Sequence, residues 1–232
     1  MLYPLTVITL YTVLGPITVS HKSKEKFDYI RVSYLFTNYF TVHQVSLFDE
    51  DDSKHIALPV TDDQYRFCIF SLRFSSDGLE ILAGANNGQL YLYDRCHHRS
   101  SLKIDAHEDD VNAVTFVDEA THILASGGDD GLVKVWDRRA LREDNPIPVG
   151  IFAGHTDGIT FLDPRDDARH IISNSKDQSI KLWDLRKFSN NRSIEATRKA
   201  VRCQTWDYRW ARPPPGMKCE NLQIFFTKHF FT

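Results

Sequence analysis

An internal repeat constrains the fold of this chain more than any other feature of its sequence. Residues 105–139 read DAHEDDVNAVTFVDEATHILASGGDDGLVKVWDRR, and residues 153–187 read AGHTDGITFLDPRDDARHIISNSKDQSIKLWDLRK. The aligned side chains include His107 with His155, Ser126 with Ser173, Asp130 with Asp177 and Trp136 with Trp183. The two tryptophans are 47 residues apart, and such a period predicts an array of similar small structural units.

A third and more degenerate unit precedes these two. Within residues 66–96, Tyr93-Asp94 stands where the other units have Trp-Asp, and Asn87 stands where they have the turn Asp. Turn signals rich in Ser, Asn and Gly separate short apolar runs, which predicts three strands, at 68–74, 80–84 and 89–93. A further unit starts at 200–206, where AVRCQTW is similar to the earlier opening strands, and stops at the proline-rich stretch 212–216.

A His near the start of each clear unit and a Trp-Asp pair near its end resemble the repeats of the WD-repeat family. The resemblance implies an all-β fold, a partial WD-repeat β-propeller of about three blades plus the start of a fourth. It divides the chain into a non-repeat extension (1–47), the propeller blades (48–210) and a non-repeat tail (211–232). Because three blades cannot close a ring with ordinary geometry, we expect a truncated or alternatively spliced form of a longer propeller.

In the WD-repeat family a His, a strand Ser, a turn Asp and the Trp form a hydrogen-bonded chain within each blade. The resemblance implies two such sets here: His107, Ser126, Asp130 and Trp136, then His155, Ser173, Asp177 and Trp183. A buried His needs partners for both ring nitrogens, an Asp can accept one proton, and a Trp can only donate. We interpret these sets as structural and not as catalytic triads, since the set is duplicated and no G-x-S-x-G motif occurs.

The sequences W-D-R-R at 136–139 and W-D-L-R at 183–186 both fit the pattern W-D-x-R. They resemble the box of WD-repeat substrate receptors of cullin-4 RING ubiquitin ligases, which binds the damage-specific DNA-binding adaptor. The resemblance implies that the adaptor contacts are made by Asp137, Arg139, Asp184 and Arg186. A third match at 206–209 is interpreted as a decoy, because the alignment puts Trp206 in an opening strand. At 93–96 a Cys replaces the Arg.

The resemblance implies a substrate-receptor subunit of a cullin-4 RING E3 ubiquitin ligase. Such a subunit binds the adaptor and an unidentified protein substrate, is not an enzyme, carries no cofactor and works in the nucleus and cytoplasm. Three alternatives stay open. The chain could be a general WD-repeat interaction scaffold, an inactive or competing truncated form of a receptor, or a membrane-anchored form.

The composition of the chain argues against several other functions and sites. The net charge of −3 argues against direct binding of nucleic acid. The four cysteines include no C-x-x-C pair, so no zinc site is predicted, and their low density favours reduced, intracellular thiols. Residues 1–20 carry no acidic or basic side chain, but Pro4 and Pro16 interrupt the run, and we expect no membrane span there.

Overall fold

The computed structural model describes residues 68–207, 209 and 211, together with the backbone of five strands within the first 58 residues. The five strands are β1 (Ile8–Thr9), β2 (Thr18–Lys22), β3 (Phe27–Tyr34), β4 (Phe40–Ser46) and β5 (Ile56–Leu58). They pair antiparallel in sequence order into one sheet. Apart from these strands and Ala211, the predicted extension (1–47) and tail (211–232) lie outside the described residues, so those domain boundaries stay predictions.

Three further antiparallel sheets follow, and we call them blades 1, 2 and 3. Blade 1 contains β6 (Ile69–Phe74), β7 (Glu80–Ala85), β8 (Gln89–Asp94) and β9 (Arg99–Asp105). Blade 2 contains β10 (Val111–Phe116), β11 (Ile123–Gly128), β12 (Val133–Asp137) and β13 (Gly150–Phe152). Blade 3 contains β14 (Ile159–Pro164), β15 (His170–Ser175) and β16 (Ile180–Asp184). The predicted all-β partial propeller is confirmed, as are the three strands expected in the degenerate unit.

Local turn chemistry sets the strand boundaries inside each blade. The tight turn between the second and third strands places one residue in the left-handed region, at Gly88, Gly131 or Gln178. Glycine adopts that conformation without steric cost, whereas Gln178 has φ 64° and carries some backbone strain. The opening strand of every blade also has a register irregularity near its start. The same backbone plan therefore recurs in all three blades, including the degenerate one.

The core lies between the blades, where the face of one sheet packs on the next. Leu82 and Leu90 of blade 1 pack in one buried cluster with Val111 and Trp136 of blade 2. Glycines on the second strands allow this close approach. A Cβ at Gly127 would lie 2.5 Å from Cγ2 of Ile159, the first residue of blade 3. Burial of these apolar side chains at about 25 cal/mol per Å² is the main force that holds the blades together.

The interface between blades 2 and 3 is built in the same way. It buries apolar side chains from both sheets, namely Ala113, Val117, Ala125, Val133, Val135, Phe152, Ile159, Leu162, Ile171 and Trp183. Phe152 stacks on Trp183 with ring centroids 5.1 Å apart. The repeated geometry thus places the tryptophan of one blade against the outer strand of its neighbour.

The prediction that a fourth blade starts with a strand at 200–206 is wrong. Residues Asn191–Arg202 form the helix α1, and a turn at Cys203 and irregular backbone at 204–207 follow it. Asn190 caps the helix, because its side chain accepts a hydrogen bond from the backbone N–H of Ser193. Thr197 is buried, and a Cβ at Gly131 of blade 2 would lie 2.6 Å from Cγ2 of Val201. The cap and this docking surface favour a helix over a strand.

The residues between β16 and α1 explain why the helix lies on blade 2. The N–H of Ser189 donates to the carbonyl of Ile151 at 2.9 Å, and Ala153 N–H donates to Ser189 Oγ at 2.9 Å. The Phe188 ring lies 5.1 Å from the Phe152 ring. The segment therefore runs along β13, the outer strand of blade 2. No helix within the described residues is long and apolar enough to cross a membrane.

An ion pair joins blades 1 and 2 at the end where the W-D-x-R sequences lie. The Arg138 guanidinium donates to both carboxylate oxygens of Glu80, at 2.5 and 2.7 Å, and the two side chains are only 25% and 19% exposed. Arg138 also contacts Thr121 in the loop between β10 and β11. This paired geometry is the strong form of a salt bridge.

We expect Arg138→Ala to lower the free energy of unfolding by about 1 kcal/mol, because a partly buried, bidentate pair is lost. Urea denaturation followed by circular dichroism measures this. Arg142→Ala is the matched control, since Arg142 is exposed. Equal midpoints for the parent and both variants would show that the Arg138 pair adds nothing to stability.

Candidate functional site

The structure places the four residues of the first predicted set in one hydrogen-bonded chain. His107 Nδ1 lies 2.9 Å from both carboxylate oxygens of Asp130, and His107 Nε2 lies 2.8 Å from Ser126 Oγ. Trp136 Nε1 donates to the same Oγ at 2.9 Å. A neutral His107 that donates from Nδ1 and accepts at Nε2 satisfies every member. The chain joins the loop before β10 to β11 and β12 and so fixes blade 2.

Blade 3 repeats the arrangement. His155 Nδ1 lies 2.9 Å from Asp177 Oδ2, His155 Nε2 lies 2.7 Å from Ser173 Oγ, and Trp183 Nε1 donates to Ser173 Oγ at 2.7 Å. Ser179 adds a hydrogen bond to Asp177 Oδ1 at 2.6 Å. Both His side chains are almost fully buried. Neither set lies in an open cleft where a substrate could reach a nucleophile.

The sequence analysis did not identify Lys134, which extends the hydrogen-bonded network of blade 2. Its ammonium group donates to the carbonyl of Ala106 at 2.6 Å and lies 3.8 Å from Asp130 Oδ2. Burial lowers the pKa of Lys134, and the charge of Asp130 partly opposes that shift. The signal was present, because Lys181 occupies the same position two residues before the Trp in blade 3.

Blade 1 has no such chain. Asn87 donates from its amide to Tyr91 Oη at 2.9 Å, and Tyr91 stands where blade 2 has Lys134. Tyr93 replaces the Trp, and its buried hydroxyl has no hydrogen-bond partner. Apolar packing of Tyr91 and Tyr93 with Ile69, Leu72, Ile81, Ala83 and Ala85 replaces the polar chain.

The network carboxylates make stability depend on pH. Burial would raise the pKa of Asp130, but the hydrogen bond from His107 and the charge of Lys134 outweigh it, so the pKa falls below its ordinary value of 3.8. The pKa of Asp177 is lowered by the same balance against His155. A carboxyl whose folded pKa is depressed stabilises the fold above its unfolded pKa, and this contribution is lost as the pH falls.

We therefore expect the melting temperature to be constant from about pH 7 to 5 and to fall steeply below about pH 4. Calorimetry across this range measures the slope. In the Asp177→Asn variant the carboxyl no longer titrates, so its melting temperature should fall less steeply on acidification. Identical acid slopes for parent and variant would contradict the assignment.

The two W-D-x-R sequences form the same local structure. Asp137 Oδ1 accepts from the backbone N–H and Nε of Arg139 at 3.0 and 2.9 Å, and Oδ2 accepts from Nη2 at 2.7 Å. Asp184 and Arg186 make the equivalent bonds, at 3.0, 3.1 and 2.8 Å. The Arg side chains remain 62% and 60% exposed. The structure thus holds each guanidinium in a fixed orientation at the surface.

A third Asp-Arg pair has the same local shape as the two boxes but lies elsewhere in the fold. Asp207 and Arg209 form the same fork, with Nη2 to Oδ2 at 2.8 Å. The pKa of Asp137 and that of Asp207 are both lowered to about 2, chiefly by the hydrogen bond from the Arg two residues later. Arg139 and Arg186, however, follow the third strands of neighbouring blades, whereas Arg209 follows α1.

Blade 1 offers no Arg at this rim position. Asp94 Oδ2 instead lies 2.6 Å from Nδ1 of the exposed His97, and this hydrogen bond lowers the pKa of Asp94. Within residues 68–207, no group of three or more His, Cys, Asp or Glu side chains could hold a metal ion. The surface forks of blades 2 and 3 are therefore the candidate functional site.

Comparison with known proteins agrees with this architecture. The family model "WD domain, G-beta repeat" matches residues 99–137 and 146–184. Each match starts in or just before the last strand of one blade and ends with the third strand of the next, so the sequence repeat and the sheet are offset by one strand. The crystal structure of a mitotic checkpoint complex has a TM-score of 0.55 at 22% identity, over 69% of this chain and 45% of that chain. This likeness shows the fold alone.

Comparison of sequences finds more similar proteins than the comparison of structures does. A DDB1- and CUL4-associated factor 11 homolog of Caenorhabditis briggsae is 49% identical over 161 residues, 69% of this chain and 29% of that protein. The LEC14B protein of Lithospermum erythrorhizon is 50% identical over 66% of this chain and 32% of that protein. Human DDB1- and CUL4-associated factor 10 is 26% identical over 53% of this chain and 21% of that protein.

This chain spans about three tenths of the length of the first two of these relatives. The chain therefore carries WD40 repeats, and it is similar to the DDB1- and CUL4-associated factor 11 homologues over about two thirds of its own length.

Proposed function

We propose that this chain acts as a substrate receptor of a cullin-4 RING E3 ubiquitin ligase and docks DDB1 through its two W-D-x-R boxes. The names of two relatives, DDB1- and CUL4-associated factors 11 and 10, support an association with DDB1 and CUL4. The observation that carries the proposal is the pair of exposed guanidinium groups, Arg139 and Arg186, at equivalent positions of neighbouring blades.

The fork geometry suits these side chains to docking. Each Asp binds Nε and Nη2 of its Arg, so Nη1 is not used in the pair and can donate to a partner from the exposed side chain. A long side chain normally loses rotamer freedom when it binds, but the carboxylate of Asp137 or Asp184 already orders it. Arg keeps its charge at any physiological pH and donates in a planar fork, which favours carboxylate and carbonyl acceptors.

The proposed role needs no chemistry from this chain. The Ser, His and Asp side chains of blades 2 and 3 hydrogen-bond to one another inside each blade. The same Ser-His-Asp set occurs in both blades. In the proposed role the blades bring a protein substrate to the ligase, in the nucleus and cytoplasm, and ubiquitin transfer is carried out by the other subunits.

Direct binding to purified DDB1 tests the proposal. The full chain is immobilised, and DDB1 is titrated over it in biolayer interferometry. We expect saturable binding that is unchanged in the Arg209→Ala variant, because that fork lies away from the blade rim. Absence of binding by a folded parent chain would leave a WD-repeat interaction scaffold without a ligase role.

A further inference from the structure

The two boxes differ in one respect that their sequences do not show. In blade 3 the Asp184 carboxylate also accepts from a second Arg, with Arg169 Nη2 at 3.1 Å and Nε at 3.4 Å. Asp184 is only 4% exposed, whereas Arg169 is 38% exposed and Arg186 is 60% exposed. One buried carboxylate therefore binds two surface guanidinium groups. Together these three charged side chains carry a net charge of +1.

Blade 2 has a different residue at the equivalent position. The carbonyl of Arg169 accepts from the N–H of Leu185 at 2.9 Å, and the carbonyl of His122 accepts from the N–H of Arg138 at 3.0 Å. His122 thus stands where blade 3 has Arg169. Blade 2 therefore has no second Arg beside the pair of Asp137 and Arg139, whose charges cancel, so the two boxes present different electrostatic potentials to a partner.

Hydrogen bonds to Asp167 order the loop that carries Arg169. Asp167 Oδ1 accepts from the backbone N–H groups of Arg169 and His170 at 2.9 and 2.8 Å, and Asp167 Oδ2 lies 2.5 Å from His170 Nδ1. Asp166 and Ala168 on either side adopt left-handed conformations, with φ 63° and 52°. A side chain presented from such a locked turn loses little entropy when it binds, and strain of this kind is typical of functional loops.

We infer that Arg169 is a third contact residue of the docking rim, and that Arg169 and Arg186 together bind a carboxylate side chain of the partner. This inference rests on the proposed function and specifies the chemistry of the partner at blade 3. Arg169 and Arg186 each donate from Nε and Nη2 to Asp184, so their Nη1 groups are available to bind a partner. Two positive groups around one carboxylate attract a second anion more strongly than the single pair of Asp137 and Arg139 in blade 2 does.

The test is the affinity for DDB1 of variants of the full chain, measured by interferometry at low and at physiological salt. Arg169→Gln should weaken binding about tenfold and reduce its dependence on salt, because a charge at the interface is removed. Arg165→Gln is the matched control on the same loop. Its side chain is 70% exposed and lies 3.9 Å from Asp167, and its loss should leave affinity unchanged.

Two further variants separate direct contact from support of Arg186. If Arg169 touches the partner, Arg169→Gln weakens binding again in an Arg186→Ala background, whereas a residue that only orients Arg186 has no further effect there. His122→Arg should build a second paired site in blade 2 and tighten binding several-fold. Circular dichroism confirms that each variant is folded.

The outcomes are distinct. A parent chain that binds DDB1 and an Arg169→Gln variant that binds equally well would overturn the inference and leave docking through Arg139 and Arg186 intact. A folded parent chain that does not bind DDB1 at all would overturn the proposed function, and the inference with it.

Discussion

Changing Arg139 and Arg186 to alanine together should abolish capture of DDB1. Each guanidinium is ordered by its Asp and exposed at the rim, so each can donate charge-assisted hydrogen bonds that survive partial desolvation. Removal of one Arg leaves its acceptor on the partner unpaired, which costs about 2 kcal/mol at an interface hot spot, or roughly thirtyfold in affinity. For both together we expect a loss of about a thousandfold. Co-precipitation and interferometry measure it.

The control for this experiment is built into the chain. Arg209 forms the same fork with Asp207, is equally exposed and lies outside the blade strands, so Arg209→Ala should leave binding unchanged. Far-UV circular dichroism should show all variants folded, because none of the three side chains belongs to the buried network. Equal affinity of the double variant and the parent would remove the docking role of the boxes.

Replacing Asp130 with alanine should lower the free energy of unfolding by about 3–5 kcal/mol, the usual cost of removing one partner from a buried charged network. Asp130 accepts from His107 Nδ1 and from the N–H of Leu132, and its charge lies 3.8 Å from the Lys134 ammonium. All three groups are buried and would lose their acceptor or counter-charge. This loss is a large part of the 5–15 kcal/mol that typically stabilises a domain.

Urea denaturation of the parent and the Asp130→Ala variant measures the effect. Asn87→Ala provides the matched comparison, because Asn87 occupies the equivalent turn of blade 1 but is exposed and joins no His-Ser-Trp chain. Its loss should cost less than about 1 kcal/mol. A similar loss in both variants would mean that the turn alone, and not the network, sets the stability of blade 2.

Much of the architecture follows from local chemistry and could be predicted from the sequence. The spacing of His, Ser, Asp and Trp indicates blades, because the buried polar network needs the His in the loop before the first strand, the Ser and Trp on the second and third strands, and the Asp in the turn between them. The Asn-Gly and Asp-Gly turns set strand ends through the left-handed residues Gly88 and Gly131. The Asp-Arg forks are equally local, since their partners are two residues apart, and even the decoy at 206–209 forms one.

Helix α1 shows where local reasoning stops. The alternation in AVRCQTW favours a strand when it is considered alone, and the capping residue Asn190 lies ten residues upstream of its first position. Thr197 is buried and Val201 is half-buried because Gly131 of blade 2 has no side chain in the space that they occupy. Tertiary burial of one helix face outweighs the weak intrinsic preference of a short segment.

The sequence by itself determined the repeat, the blade network and the local shape of each W-D-x-R box, because those features depend on residues at fixed short spacings. Only the tertiary structure decided which charges meet. Arg138 reaches Glu80 across 58 residues, Lys134 reaches the carbonyl of Ala106 across 28, and Arg169 joins Asp184 across 15. Such pairs form where folded strands bring distant side chains within hydrogen-bond reach, and no spacing pattern along the chain encodes them.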